Sequence, residues 1–135
     1  WQPVNMIFSI NVQSPPYSTQ ASYTAYQFCK AVLAQGHQLH RIFFYQDGVY
    51  CATSLAAPSQ DELNLYTEWQ NLAKENEVEL VVCIAAALRR GILNREESIR
   101  YQKDAHNLAE GFTLGGLGQL IEAAVSSDRM VTFGN

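Results

Sequence analysis

Cys83 lies in the stretch ELVVCIAAALRRG, at the end of an apolar run and before three alanines that lead into Arg89 and Arg90. A thiol reacts as its thiolate, and its pKa falls beside positive charge or a helix N-terminus. A strand that hands over to a helix at this cysteine offers both. The amides of the opening turn can face the sulfur, while Arg89 and Arg90 add positive potential a turn or so beyond it, or dock an acidic partner. Ala85, Ala86 and Ala87 leave room for a second sulfur atom or for the tail of another protein. The competing reading is packing alone, because an unpaired cysteine closing a strand serves equally well as a small hydrophobe.

The chain has three cysteines, Cys29, Cys51 and Cys83, an odd number at wide spacings that suits neither a disulfide framework nor a Cys-x-x-Cys metal knuckle. Free thiols in a reducing compartment follow. Cys29 falls in a helical core stripe and reads as structural, and Cys51 falls in a loop and reads as incidental. No metal is expected, since His37 and His40 have no matching cysteines or acids nearby, and His106 is uninformative. A hydrolase is unsupported for want of a Gly-x-Ser-x-Gly elbow. The segment GGLG, Gly115 to Gly118, follows no clear strand, and neither a Gly-x-Gly-x-x-Gly nor a Walker loop occurs.

The elements that must position Cys83 are legible in the pattern. MIFSINV, residues 6 to 12, predicts a first strand, and the two prolines of QSPPYS forbid its continuation. Ala21, Ala25, Phe28, Cys29, Val32 and Leu33 recur at helical steps between Thr19 and Gln35, with Gly36 where a C-terminal cap is expected. HQLHRIFFY predicts the second strand, closed by the turn residues Asp47 and Gly48, and a loop runs on to Ser59. A second helix is expected over residues 60 to 76, with Asp61 and Glu62 at its positive end. VELVVCIA gives a central strand and NREESIRYQKDAHNL helical material. EGFTLGG has room for a short strand, and a last helix, residues 117 to 127, precedes the strand RMVTF. In that helix Leu117, Leu120, Ile121, Ala124 and Val125 form a face that reads as core.

Alternating strands and helices predict an α/β three-layer sandwich, with a mostly parallel sheet of four or five strands and helices on both faces. Sites in such sheets gather at the carboxyl ends of the strands. QSPPYS, QDGVYC and CIAAALRRG should therefore meet on one edge, with Tyr17, Asp47 and Tyr50 as candidate walls around Cys83.

At 135 residues the chain is expected to form one domain over residues 6–135, with residues 1–5 set apart as an extension, native or added. A formal charge of −4 argues against a broad nucleic-acid surface. No apolar stretch approaches membrane-spanning length, so a soluble, cytoplasmic protein is expected.

VVCIAAALRRGIL, with GHQLHRIFFYQDGVYCA upstream and GGLGQLIEAAVSSDRMVTFG downstream, resembles the DsrE/TusD branch of the DsrE/DsrF/DsrH-like sulfur-carrier family, in order, from Met6 to Gly134. The resemblance implies that Cys83 is a sulfur acceptor carrying a persulfide, and gives no such role to Cys29 or Cys51. It implies a sulfurtransferase without metal or organic cofactor, working in a hetero-oligomer with TusB-like and TusC-like subunits. Sulfur would come from a TusA-like donor and pass to a TusE-like acceptor, for 2-thiolation of the tRNA wobble uridine. The DsrE side of the branch implies a carrier in dissimilatory sulfur oxidation instead. A nucleotide-binding module of flavodoxin-like shape and a purely structural subunit are the rivals from other classes.

Overall fold

The computed structural model describes residues 5–134; the extension expected at the start lies outside them except for Asn5. Ile7–Val12 forms β1, Ala21–Ala34 α1 and Gln38–Phe44 β2, followed by a 3-10 helix at Gln46–Ala52. Leu65–Asn76 forms α2 and Glu79–Cys83 β3, with α3 at Ile84–Arg89 and α4 at Arg95–Arg100. Phe112–Gly115 forms β4, Leu117–Ser126 α5 and Arg129–Phe133 β5. The five strands make one sheet in the order β4-β3-β2-β1-β5, every pairing parallel.

Side-chain alternation along each strand divides the core between two faces. On the first, Phe8 meets Phe28 of α1 at 5.9 Å between ring centroids, and Phe44 meets Trp69 of α2 at 5.4 Å. Tyr26 of α1 stands edge-on to the same Trp69 at 5.4 Å, so one indole ties both helices to the sheet. Trp69 is fully buried, and truncating such a residue to alanine costs about 3–5 kcal/mol. The second face is more polar and carries α5. Buried Arg41 of β2 donates to Glu79 at the start of β3 (2.8 Å) and, from α5, to the Glu122 carboxylate (2.6 Å) and the Gln119 carbonyl (2.8 Å). Ser9 and Ser127 share a 2.6 Å hydrogen bond at the far end of that helix. Helices thus cover both faces, as the pattern predicts.

Five details depart from the expectations. The second helix begins at Leu65, not at residue 60. A turn at Ser59 and Glu62 takes up the preceding residues, and the Tyr17 hydroxyl accepts from the Leu65 N–H (3.1 Å), marking the helix start. The helical material after Gly91 is only α4, because Gln102 turns left-handed (φ 56°) and the Lys103 N–H closes on the Ser98 carbonyl (2.8 Å). The supposed loop after β2 winds into the 3-10 helix, and GGLG directly continues β4. Finally, most of the apolar face of α5 is not core, Leu120 being the part of it that packs half-buried against the core. Leu117, Ile121 and Val125 are 45, 65 and 80% exposed, and only Ala123 is buried, because Arg41 and Glu122 attach the helix to the sheet by its polar side. No helix among the described residues is long and apolar enough to cross a membrane.

Candidate active site

β3 ends in a β-branched run, Val81–Val82, and gives way at Cys83 to an alanine-rich segment that favours helix. Cys83 therefore has extended dihedrals (φ −60°, ψ 118°) while occupying the N-cap position of α3. It lies at the carboxyl edge of the sheet but is only 3% exposed. Its pairing partner on β4 is Gly115, half-buried, with exposed Gly116 next in the chain and exposed Ala85 just inside α3. Cys83 thus ends β3 at the rim of the sheet and is itself buried.

The neighbouring segments converge as topology demands. The 3-10 helix packs against the end of β1 through Gly48, where a Cβ would collide with the Val12 carbonyl and stand 3.2 Å from the Gln13 nitrogen. The adjoining Tyr45 N–H bonds that same carbonyl at 2.9 Å. From α3, Arg90 donates to Asp47 at 2.8 Å and, folding back one turn, to the Ala86 carbonyl at 3.1 Å. The structure thus joins Arg90 and Asp47, two of the residues expected here, as a brace between α3 and the 3-10 helix. The Arg90 charge is compensated by Asp47 rather than left free for the sulfur.

Arg89 ends α3 in an exposed position, six residues and about 9 Å of helical rise beyond Cys83, further than the turn or so expected from sequence. Tyr50 is exposed on the 3-10 helix. Tyr17, in left-handed backbone (φ 71°), is committed to α2: its hydroxyl donates to the Leu63 carbonyl (2.9 Å) while accepting from Leu65. Three grooves, of about 520, 460 and 200 Å³, open elsewhere on the surface, and Cys83 lines none of them.

The other two thiols, like Cys83, belong to the buried core. Burial pushes both Cys29 and Cys51 up to about 12, Cys51 despite a hydrogen bond from Ser22 that opposes the shift. Neither ionises near neutrality. Among the described residues no group of three His, Cys, Asp or Glu side chains is placed to hold a metal. His40 pairs with Glu122 at 3.2 Å, and His37 accepts from the Met6 N–H through Nδ1 (3.1 Å). Sequence reasoning passed over Arg41, although a lone base inside HRIFFY, with an acid opening the next strand, is a signal for a cross-strand ion pair.

Comparison with known proteins places the chain in a family. The DsrE/DsrF-like family matches residues 6–133. The chain is 48% identical over 128 residues to "Sulfurtransferase TusD" of Klebsiella pneumoniae, covering 95% of this chain and all of that one. It is 46% identical over 130 residues to "Sulfurtransferase TusD homolog" of Aliivibrio fischeri, covering 96% and 100%. A DsrE protein of Allochromatium vinosum is 48% identical over 130 residues, with the same coverage. The crystal structure of the ychN protein from E. coli superposes with a TM-score of 0.73 at 19% identity over 96% of this chain and all of that one, a likeness of fold. With nearly the whole chain matched by the family and nearly half its residues shared with full-length relatives, the chain belongs to the DsrE/DsrF-like family and is one of its sulfurtransferases.

Proposed function

We propose that one domain, residues 6–135, is a cytoplasmic sulfur-relay subunit that takes a sulfane sulfur on Cys83 and hands it to a partner protein. The observation that carries this reading is the contrast among three thiols. All three are buried, and Cys83 alone among them ends a strand at the carboxyl edge of the sheet, at the N-cap of α3. In the first step the Cys83 thiolate attacks the outer sulfur of a donor persulfide. A new S–S bond forms at Cys83, the donor's S–S bond breaks, and the electron pair leaves with the donor thiolate. The second step repeats the exchange with Cys83 as leaving group, so no oxidant, metal or organic cofactor enters. Because Cys83 is only 3% exposed, a docking partner would have to displace the residues that cover the sulfur. The same cover shields the persulfide between transfers.

The relatives named TusD favour the TusD side of the family; the family resemblance implies for it a TusA-like donor, TusB-like and TusC-like companion subunits in a hetero-oligomer, a TusE-like acceptor, and 2-thiolation of the tRNA wobble uridine as the end point. Equal identity to a DsrE protein supports the second reading, a carrier in sulfur oxidation. Arg89 and Arg90 would serve the partner's docking, with Asp47, Tyr17 and Tyr50 holding the surrounding loops.

Incubation with a persulfidated carrier should add about one sulfur mass to the wild type and none to Cys83→Ser. Uptake by Cys83→Ser refutes the assignment. Restored thiolation in a TusD-deficient strain selects the tRNA pathway, and sulfur uptake without such rescue selects the oxidative one.

A further inference from the structure

Five of the chain's nine basic residues fall between Arg89 and Lys103, with only Glu96 and Glu97 of its thirteen acids, although the protein as a whole carries a charge of −4. The structure holds them on one piece of backbone. α3, which starts from Cys83, is closed by the Ile92 N–H on the Ala87 carbonyl (2.9 Å). Residues 93–108 then form a closed surface loop: the Leu93 carbonyl accepts from the Asn107 and Leu108 N–H groups (3.0 and 2.9 Å), and the Leu93 N–H donates to Asn107 Oδ1 (3.0 Å). Its base is fixed to the residues that follow the 3-10 helix, where the Ser54 N–H donates to the Asn107 carbonyl (2.7 Å) and Asn107 Nδ2 to Thr53 Oγ1 (3.1 Å). Inside the loop, α4 turns Glu97 and Ser98 inward and leaves Arg95, Glu96, Ile99 and Arg100 exposed. Arg89, Arg95 and Lys103 make no ion pair among the described residues, and Arg100, 68% exposed, comes only within 3.6 Å of Glu97. Among these charges stand two apolar side chains, Ile99 at 67% and Tyr101 at 52% exposure.

We infer that this loop is a docking surface for an acidic segment of the protein that exchanges sulfur with Cys83, held by Arg95, Arg100 and Lys103 through charge and by Ile99 and Tyr101 through apolar contact. The inference rests on the sulfur-relay reading, to which it adds the chemistry of the partner. A basic patch on an otherwise acidic molecule attracts its complement, orients it before contact and repels wrong partners. Arg and Tyr are also among the residues enriched where proteins meet. A phosphate backbone fits less well, because Glu96 and Asp104 interrupt the bases and Ile99 would gain no cover. The loop's work is retention: a partner held there is tethered to the piece of chain that begins at Cys83.

The test is fluorescence anisotropy of the full chain with a labelled peptide of glutamate, leucine and glycine, and with its twin carrying lysine for glutamate. The acidic peptide should bind about tenfold more tightly than its twin, an advantage lost at about 1 M salt, where the screening length is about 3 Å. Arg95→Glu, Arg100→Glu and Lys103→Glu combined should weaken acidic-peptide binding about tenfold. The charge-matched control, Lys30→Glu, Lys74→Glu and Arg129→Glu combined, should stay within about twofold of wild type. Ile99→Ser, at unchanged charge, should weaken binding about fivefold. Equal binding of the two peptides, wild-type affinity in the loop triple variant or in Ile99→Ser, or equal loss in both triple variants overturns the inference. Tighter binding of a single-stranded RNA of the same length overturns it too, as does a wild-type dimer in sedimentation that only the loop triple variant abolishes, which makes a second copy the occupant. Failure of the relay reading shows separately, as wild-type protein that takes up no sulfur at Cys83 from glutathione persulfide.

Discussion

Two glycine-to-alanine substitutions, identical in chemistry, should move stability in opposite directions. At Gly48 the added methyl points into backbone: the Val12 carbonyl lies inside contact distance, with Val12 C at 2.7 Å and the Gln13 nitrogen at 3.2 Å. Backbone cannot rotate away as a side chain can. The 3-10 helix must lift from β1, straining the Tyr45 N–H bond to the Val12 carbonyl. Overpacking of this kind costs about 1–3 kcal/mol and a lost hydrogen bond about 1 more, so Gly48→Ala should lose roughly 2–4 kcal/mol. In a domain of this size that lowers the melting temperature by about 10 °C. At Gly118, inside α5, nothing lies within 4 Å of the new methyl. There the substitution only improves helix propensity and should gain roughly 0.5–1 kcal/mol. Thermal unfolding followed by circular dichroism measures both. A Gly48→Ala protein melting within about 2 °C of wild type, a shift under roughly 1 kcal/mol, refutes the close approach that seats the 3-10 helix.

Iodoacetamide at mildly alkaline pH should label native protein at Cys83 alone and denatured protein at all three cysteines, because burial holds Cys29 and Cys51 at about 12; native labelling of Cys51 contradicts its enclosure. Tyr17→Phe removes the hydroxyl that joins Leu63 and Leu65, and should cost about 1 kcal/mol in denaturant titration while leaving the fold intact. The Glu122 carboxyl is held at about 2 by hydrogen bonds from Ser126 and His40 and by the Arg41 charge, against some desolvation. A folded pKa below the unfolded value of 4.5 stabilises above that value and is lost as pH falls through about 2. Glu122→Gln should therefore flatten the loss of stability over that window; an unchanged acid limb removes Glu122 as a contributor.

What the sequence made legible follows from how locally each feature is determined. β1, β2, β3 and β5 appear nearly at their expected bounds because β-branched and aromatic runs bounded by Pro, Gly and Asp carry their own signal. Cys83 was placed at a strand-to-helix junction for the same reason. The start of α2 was misread because what marks it, the Tyr17 hydroxyl, comes from 48 residues away. Amphipathicity misassigned α5, since periodicity identifies a stripe without saying whether the protein or a partner covers it. Arg90 and Asp47 were each singled out, but their pairing depends on how the 3-10 helix folds, which QDGVYCA does not announce.

If Cys83 carries sulfur as proposed, the polar face of the sheet gives a physical reason for combining a covered sulfur with that work. A sulfur that accepts and then releases a second sulfur must ionise readily, yet a bare persulfide at the surface would be consumed by any passing thiol or oxidant. Sealing the site with large apolar side chains would give protection at the expense of ionisation, as the raised pKa values of Cys29 and Cys51 illustrate. At Cys83 the adjoining residues are small, Ala85 in α3 and Gly115 and Gly116 on the β4 side, and the framework behind them is stiff. Arg41 fixes the first turn of α5 through the Gln119 carbonyl, and Arg90 fixes α3 to Asp47. On the proposed relay reading, small residues on rigid supports would let a docking partner reach the sulfur through a local displacement, without unfolding either helix.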